Sequence, residues 1–369
     1  MYTYESPRPA SGLSMDDFDY DLPADRIAQI PVEPRDSARL LVSLEPGSVE
    51  HRHVSDLPSF LRPGDVIVLN ETKVIPARLA LRKPTGGAVE VLLVDLVPFD
   101  GLTKESESQQ RAWKALVKPS RKVHPGTRLQ PGPGLVVEIG AQLDGGQRLV
   151  RLLDPQNDEP LGPNIEQTEL NRHGVLPLPP YITAALDDQS RYQTTFATIP
   201  GSAAAPTAGL HFTAELLDRC REVGATVHTV ELCVGLDTFR PVSVDRPEDH
   251  EIHSERFRVS AGTLKACVDA KAAGCRVIAV GTTSVRALES AAASDSLEGR
   301  TRLFIYGDYQ FRIVDMLLTN FHLPRSSLLL LVQSFVGARW RDLYEEAKRD
   351  EYRFLSFGDA LLLGAAKAL

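Results

Sequence analysis

The rhythm of apolar residues changes once along this chain, and that change limits the possible folds more than any other feature. From residue 66 to about 153 the apolar runs are short (VIVL, VIPARLAL, VEVLLVDLV, AWKALV, LVVEI, RLVRLL), cut by clusters such as KPTGG, LQPGPG and LDGG. Short strands punctuated this often predict a small antiparallel β-barrel-like module over 66–154. Past residue 210 the pattern becomes helix 214–223, strand ATVHTVELCV, strand RFRVS, helix 261–273, strand CRVIAVG, helix 283–293 and strand RLFIY. Strands alternating with helices of this length predict an α/β layer with parallel pairing. The expected fold class is therefore α/β: a discontinuous α/β domain, 18–65 plus 155–369, barrel-like or layered, with an inserted small antiparallel β-barrel domain at 66–154. Residues 327–369 read as helices packed on the layer, 1–17 as a disordered leader, and GLTKESESQQ at 101–110 as a mobile polar loop.

Several classes of protein are excluded at once. The longest aliphatic run, Leu328–Val332, is far short of the ~20 residues that span a bilayer. No membrane association is expected. The first residues lack a basic patch followed by an apolar core, so they do not read as a secretory signal. Cys220, Cys233, Cys267 and Cys275 match no zinc spacing and no CxxC pair; reduced cytoplasmic thiols are expected, with Cys220 and Cys267 on helix faces.

Charge separates the two parts as well. Residues 70–130 hold eleven Lys and Arg against six Asp and Glu, +5 inside a chain of −8. A basic module in an acidic protein suits phosphate contact, and Arg78, Lys118, Arg121 and Lys122 are the candidates for it. The competing reading is a solvated charged face.

Three segments of the α/β part carry candidate chemistry. In IPGSAAAPTAGLHFT (199–213), small residues bring His211 onto a turn opening a helix, with Thr213 as N-cap, Gly224 as the stop, and Gly209 leaving room for a ligand against backbone. After strand CRVIAV, Gly281 turns the chain into TTSVRALES. There Thr282, Thr283 and Arg286 form an anion nest at a helix start, unless Arg286 and Glu289 are only a surface pair. In LLTNFHLP, Asn320 and His322 stand on a loop closed by Pro324 and followed by a Ser326-capped helix. Asn320 can satisfy a planar base edge. Farther back, His253 and Glu255 alternate with Ser254, which places them on one face of a strand as an acid/base pair. Metal binding by His250, His253 and Glu255 lacks a helical HExxH or facial-triad context, so no metal is expected.

Taken together, FDYDLP, RDSARLLV, GDVIVLNETKVIPARL, ALVKPSRK, LPLPPYI, RYQTTFA, GSAAAPTAGLHFT, VGTTSVRALES, LLTNFHLPRSSLLLLVQSF and YRFLSFGDALL resemble the S-adenosylmethionine:tRNA ribosyltransferase-isomerases of queuosine biosynthesis, from residue 18 to 362. The resemblance implies an α/β domain interrupted by a small β-barrel, and a cytoplasmic enzyme. It implies S-adenosylmethionine as co-substrate, no prosthetic group, and a tRNA with a modified wobble base as partner; a monomer is expected. In that chemistry the sulfonium acidifies the ribose C5′ hydrogens, a base removes one, adenine is eliminated, an aminomethyl group attacks, and epoxide closure expels methionine. The demands are a base, an acid, an anion nest for the methionine carboxylate, and phosphate contacts. His211, His253 and Glu255 are the candidates for proton transfer. Gly209, Thr282, Thr283 and Arg286 are those for holding the co-substrate, and Asn320 and His322 those for contacting adenine or the deazaguanine.

The chain also departs from that pattern. Cys233 stands in LCVG where the family has a histidine, Leu236-Asp237 replaces a small uncharged pair, and GDYQF lacks a proline before Gly307. A thiol does not match imidazole hydrogen bonding. A paralogue with another acceptor, or a catalytically silent RNA-binding protein, are the competing functions.

Overall fold

The computed structural model describes residues 3–8, 11–83, 85–97, 111–235 and 241–366. It divides into two compact units, one of Val74–Leu178 with Pro200–Ala204, the other of Tyr2–Lys73, Pro179–Ile199 and Ala205–Leu369.

In the smaller unit, strands Arg78–Arg82, Ala88–Leu96, Trp113–Lys118, Arg148–Leu153, Leu135–Gln142 and Arg128–Gly132 pair antiparallel in that order. The circle closes through Arg82 opposite Gln130. Every other residue points inward, so Leu79, Leu81, Val89, Val91, Ala115, Val117, Val137, Ile139 and Val150 fill the barrel. Helix Pro163–His173, with proline in its first turn, and the short strand Gly174–Val175 belong to this unit too.

The larger unit is built on a ten-stranded mixed sheet. Its middle is four parallel strands in the order Thr226–Leu232, Val66–Asn70, Val277–Val280 and Met316–Asn320. Each residue of Val66–Asn70 is buried, as expected of a strand covered on both faces. On one side follow Glu255–Val259, Glu298–Arg302 and Thr3–Glu5; on the other, Ala360–Gly364, Arg39–Ser43 and Glu50–His53. Helix Thr282–Ser294 packs on the parallel strands. Helix Ala214–Glu222 is capped by Thr213, whose hydroxyl accepts from Leu216 N–H at 3.0 Å, and is followed by Gly224 at φ +95°. Such a cap contributes about 1 kcal/mol. Among the described residues no helix is long and apolar enough to cross a membrane.

Four expectations change. The units divide at 74 and 178 rather than at 66 and 154. VIVLN, a strand by any pattern, is completely buried in the parallel sheet, and the helix after the last barrel strand stays with the barrel. The leader is not disordered in its described residues: Thr3–Glu5 forms an edge strand beside Arg300–Arg302, and Met15 is fully buried in a Ser14-capped turn. The C-terminal region is not helical throughout. After helices Ser327–Val336 and Trp340–Arg349, ALLLG enters the sheet antiparallel to Met316–Asn320. Finally, the strand expected over RLFIY ends at Arg302, so Leu303–Tyr306 leaves the ladder. The polar segment 101–110 lies outside the described residues.

Candidate active site

The four parallel strands end together, and their carboxyl ends deliver the candidate residues: Val234-Gly235, Asn70-Glu71, Gly281 to Arg286, and Asn320 to His322. In open α/β sheets this edge is where ligands bind.

Glu255 opens its strand next to the end of Thr226–Leu232 and is 2% exposed. Its Oε1 lies 3.1 Å from His253 Nε2 and accepts from Gly235 N–H at 3.2 Å, while Oε2 accepts from Arg286 Nη1. Burial pushes this carboxyl up, but Arg286 and then His253 outweigh it and hold Glu255 at about 2. An ionised Glu255 can only accept. The proton between the two side chains therefore sits on His253 Nε2, and in the neutral tautomer of this half-buried ring Nδ1 is the lone-pair nitrogen. A Cβ at Gly235 would stand 3.4 Å from the imidazole, in ordinary van der Waals contact with it.

Arg286 is 7% exposed and not part of a surface pair with Glu289. Its Nε donates to Leu303 O at 3.1 Å, Nη1 to Glu255, and Nη2 is buried without a partner; the Thr283 hydroxyl, close by in sequence on the same helix turn, is likewise buried and unpartnered. A buried donor left unsatisfied costs about 1–3 kcal/mol, so both groups suit an arriving acceptor. Thr282 is also buried at this helix start, where Gly281 takes φ +84°. Glu289, fully buried two turns on, instead accepts from the N–H groups of Arg312 (2.9 Å), Ile313 (2.9 Å) and Val314 (3.1 Å) and from the Tyr309 hydroxyl (3.3 Å). Burial pushes its carboxyl up.

The second cluster joins His211 to Asn320. Thr207 Oγ1 donates to Asn320 Oδ1 at 2.8 Å, which aims Asn320 Nδ2 at His211 Nε2, 3.2 Å away. His211 is thus a neutral acceptor. Burial, then the Arg353 charge, lowers it to about 4, against a hydrogen bond to the Arg35 backbone that raises it. His322 bonds Thr319 Oγ1 through Nε2 at 3.0 Å, and burial takes it to about 3. Asn320, His322 and Thr207 line one cleft with Tyr181 and Ser356, and His253 and Arg286 line another with Leu303–Ile305; Leu328 lines both.

Some predicted residues take other parts. The missing side chain at Gly209 makes room for the protein itself, because a Cβ there would meet Phe196 at 2.8 Å and Thr194 at 3.0 Å. His250 packs edge-on against Phe304 at 5.4 Å and is not among the groups bonded to Glu255. In the barrel unit, Arg78 pairs with Glu90 at 3.2 Å. Lys118, at the end of its strand, and Arg121 and Lys122, on the turn that follows, are exposed and have no carboxylate partner among the described residues. Buried Arg148 holds that turn, donating to Ser120 Oγ and O at 3.2 Å. Cys233 accepts from Arg256 Nη2 at 3.3 Å beside the Glu255 strand, and Leu236-Asp237 lies outside the described residues.

Sequence reasoning missed Thr207, Asn70 and Glu71. The Asn70 side chain bridges to Leu232 O and N–H at 3.0 and 3.2 Å, and Glu71 accepts from Thr229 Oγ1 at 2.6 Å. A polar Asn-Glu pair ending a wholly aliphatic strand was the available signal.

A family model described as "Queuosine biosynthesis protein" matches residues 15–363. Proteins of Thermus thermophilus and Symbiobacterium thermophilum, both named S-adenosylmethionine:tRNA ribosyltransferase-isomerase, are 50% and 48% identical; the matches span 94% and 95% of this chain and 98% and 100% of theirs. The crystal structure of an S-adenosylmethionine tRNA ribosyltransferase from Thermotoga maritima aligns at 34% identity and TM-score 0.52, covering 94% of this chain and 99% of that one.

Proposed function

The chain belongs to the queuosine biosynthesis family of S-adenosylmethionine:tRNA ribosyltransferase-isomerases, and on that premise we propose how this transferase works. It moves and isomerises the ribosyl group of S-adenosylmethionine onto 7-aminomethyl-7-deazaguanine at the wobble position of tRNA. Epoxyqueuosine-tRNA, adenine and methionine are the products. The observation that carries the reading is the His253–Glu255–Arg286 set, its carboxylate and guanidinium buried and a guanidinium nitrogen left over.

Each residue then has a physical part. His253 Nδ1 takes the C5′ proton that the sulfonium acidifies, while Glu255 fixes the ring and stabilises the imidazolium once formed. Arg286 Nη2 and the Thr283 hydroxyl, with Thr282 at the same helix start, hold the methionine carboxylate. Asn320, oriented by Thr207 and His211, presents an amide edge to a base, with His322 alongside. His211 serves here as a positioning group, since its Nε2 lone pair is engaged by Asn320. The exposed Lys118, Arg121 and Lys122 meet RNA phosphates.

Incubation with S-adenosylmethionine and tRNA carrying the aminomethyl base tests the whole reading. Adenine and epoxyqueuosine-tRNA are expected; binding without turnover rejects it in favour of a silent RNA-binding protein. Cys233 beside the Glu255 strand favours one variant reading, a different acceptor. That reading predicts adenine release with another amine and no epoxyqueuosine.

Two narrower results are expected. His253→Gln lowers kcat for adenine release by about a hundredfold with little change in thermal stability, as removal of a general base does; an unchanged kcat removes His253 from the mechanism. Reversing the charge of Lys118, Arg121 and Lys122 together reduces the slope of log affinity against log salt for tRNA by about 2 to 3. An unaltered slope places the phosphates elsewhere.

A further inference from the structure

A cavity of about 610 Å³ in the larger unit is unused by the proton-transfer cluster. Its walls come from the leader, from Phe304–Arg312 and from helix Ser327–Val336. Tyr4, Phe304, Tyr306, Tyr309 and Phe311 supply aromatic surface around it, and Gln333 reaches it from the helix. The volume is that of a site for a nucleoside-sized ligand.

Three features make this a built pocket. Phe304 and Tyr306 lie 4.9 Å apart and Tyr309 and Phe311 5.0 Å apart, and Phe311 packs in turn on Phe335 at 4.8 Å. The wall is held from behind, since Glu289 takes the N–H groups of Arg312, Ile313 and Val314 and the Tyr309 hydroxyl. The Gln333 carboxamide oxygen is buried and makes no hydrogen bond. Such an oxygen gains from a ligand N–H, and aromatic faces gain from a flat π-system.

We propose that this pocket binds a planar nucleobase bearing an exocyclic amino group, of the adenine type. Glutamine is the side chain whose amide matches the adenine edge, its oxygen accepting from the exocyclic N–H. Stacking on the tyrosine and phenylalanine rings supplies the remainder of the affinity. The base comes either from the free donor nucleoside or from an unpaired position of an RNA. Phe304 also lines the His253–Arg286 cleft, so the two sites share a wall. The inference rests on the proposed function only in giving the adenosyl group of S-adenosylmethionine as the first source to test.

The test is equilibrium binding to the full chain by calorimetry, without turnover, using adenosine, inosine and a short oligoriboadenylate. Adenosine is expected to bind at least tenfold tighter than inosine, which offers a carbonyl where adenosine offers an amine. Gln333→Leu, similar in size and free of the unsatisfied oxygen, is expected to fold normally and to erase that preference. Tyr306→Ala is expected to weaken adenosine and inosine alike. Competition between adenosine and S-adenosylmethionine assigns the base to the donor; tight oligoriboadenylate binding with weak adenosine binding, still sensitive to Gln333→Leu, assigns it to RNA. Absence of binding by both adenosine and the oligoriboadenylate, or an adenosine preference over inosine that survives Gln333→Leu, overturns the proposal. Turnover is measured separately, so a protein that binds adenosine through Gln333 yet makes no epoxyqueuosine keeps the pocket and loses the function.

Discussion

Arg286→Met is expected to lower the stability of the larger unit by about 3–5 kcal/mol and to abolish adenine release, the cost of breaking one partner out of a buried ion pair. The charged side chains are 8% and 2% exposed, so water does not take over when the guanidinium is gone. Glu255 then loses the Arg286 guanidinium while keeping His253 and the Gly235 N–H, and its carboxyl moves up from about 2 as the Arg286 charge no longer offsets burial. A protonated Glu255 no longer holds the His253 proton in place, so base and anion site fail together. Stability and chemistry separate in the double variant Glu255→Gln/Arg286→Met. With both charges removed, much of the lost stability is expected to return, as a coupling term in a double-mutant cycle, while adenine release stays absent. Urea unfolding and an adenine-release assay read the two effects. Equal destabilisation by the single and double variants shows that the pair is not coupled, and retained turnover in Arg286→Met removes the guanidinium from the site.

Which parts of this site the sequence disclosed follows from how local each signal is. The Thr213 and Ser326 caps, the Gly281 turn and the His253–Glu255 alternation depend on residues within a few positions, and each forms as its neighbours dictate. Partners fixed by the sheet were not legible. Arg286 meets Glu255 from a strand 31 residues earlier, and Asn320 meets His211 across 109 residues, because separate strands end at one edge. Glu289 lies three residues beyond Arg286 and looked like its surface neighbour; the helix is buried, so the spacing says nothing about which element each carboxylate faces. ALLLG carries no period at all, being buried on every side, and a wholly apolar run does not distinguish a helix from a central strand. The leader strand is three residues long and its partner is nearly 300 residues away. Against this, the change of rhythm near residue 66 and the dense run of family motifs both pointed to an α/β layer with an inserted barrel, and mixed sheet and closed barrel are present.

Acid is expected to begin weakening the larger unit from near pH 6 downward, well above the range in which carboxylates titrate. His211 and His322 are neutral in the folded protein at about 4 and about 3, against 6.5 for the free side chain. Below pH 6.5 the unfolded chain therefore takes up protons that the folded chain refuses. Stability is whole above 6.5 and is lost as pH falls toward those two values, by roughly 3 kcal/mol for His211 and roughly 5 kcal/mol for His322. Glu255, held at about 2, adds a loss in a lower window, from its ordinary 4.5 downward. Glu289 works the other way: its carboxyl is raised by burial, so the cost of keeping it charged is relieved as pH falls toward 4.5. The loss of stability that begins at 6.5 comes from the two buried histidines. Urea midpoints at pH 7, 5.5 and 4.5 are expected to fall steadily, and His322→Gln, which keeps a polar group beside Thr319 without a titrating ring, is expected to fall less steeply. A flat midpoint between pH 6.5 and 4.5, or a His322→Gln profile as steep as the parent's, shows that these imidazoles accept protons inside the fold. Their roles as neutral acceptors for Asn320 and Thr319 would then be wrong, and with them the orientation of the amide edge offered to the base.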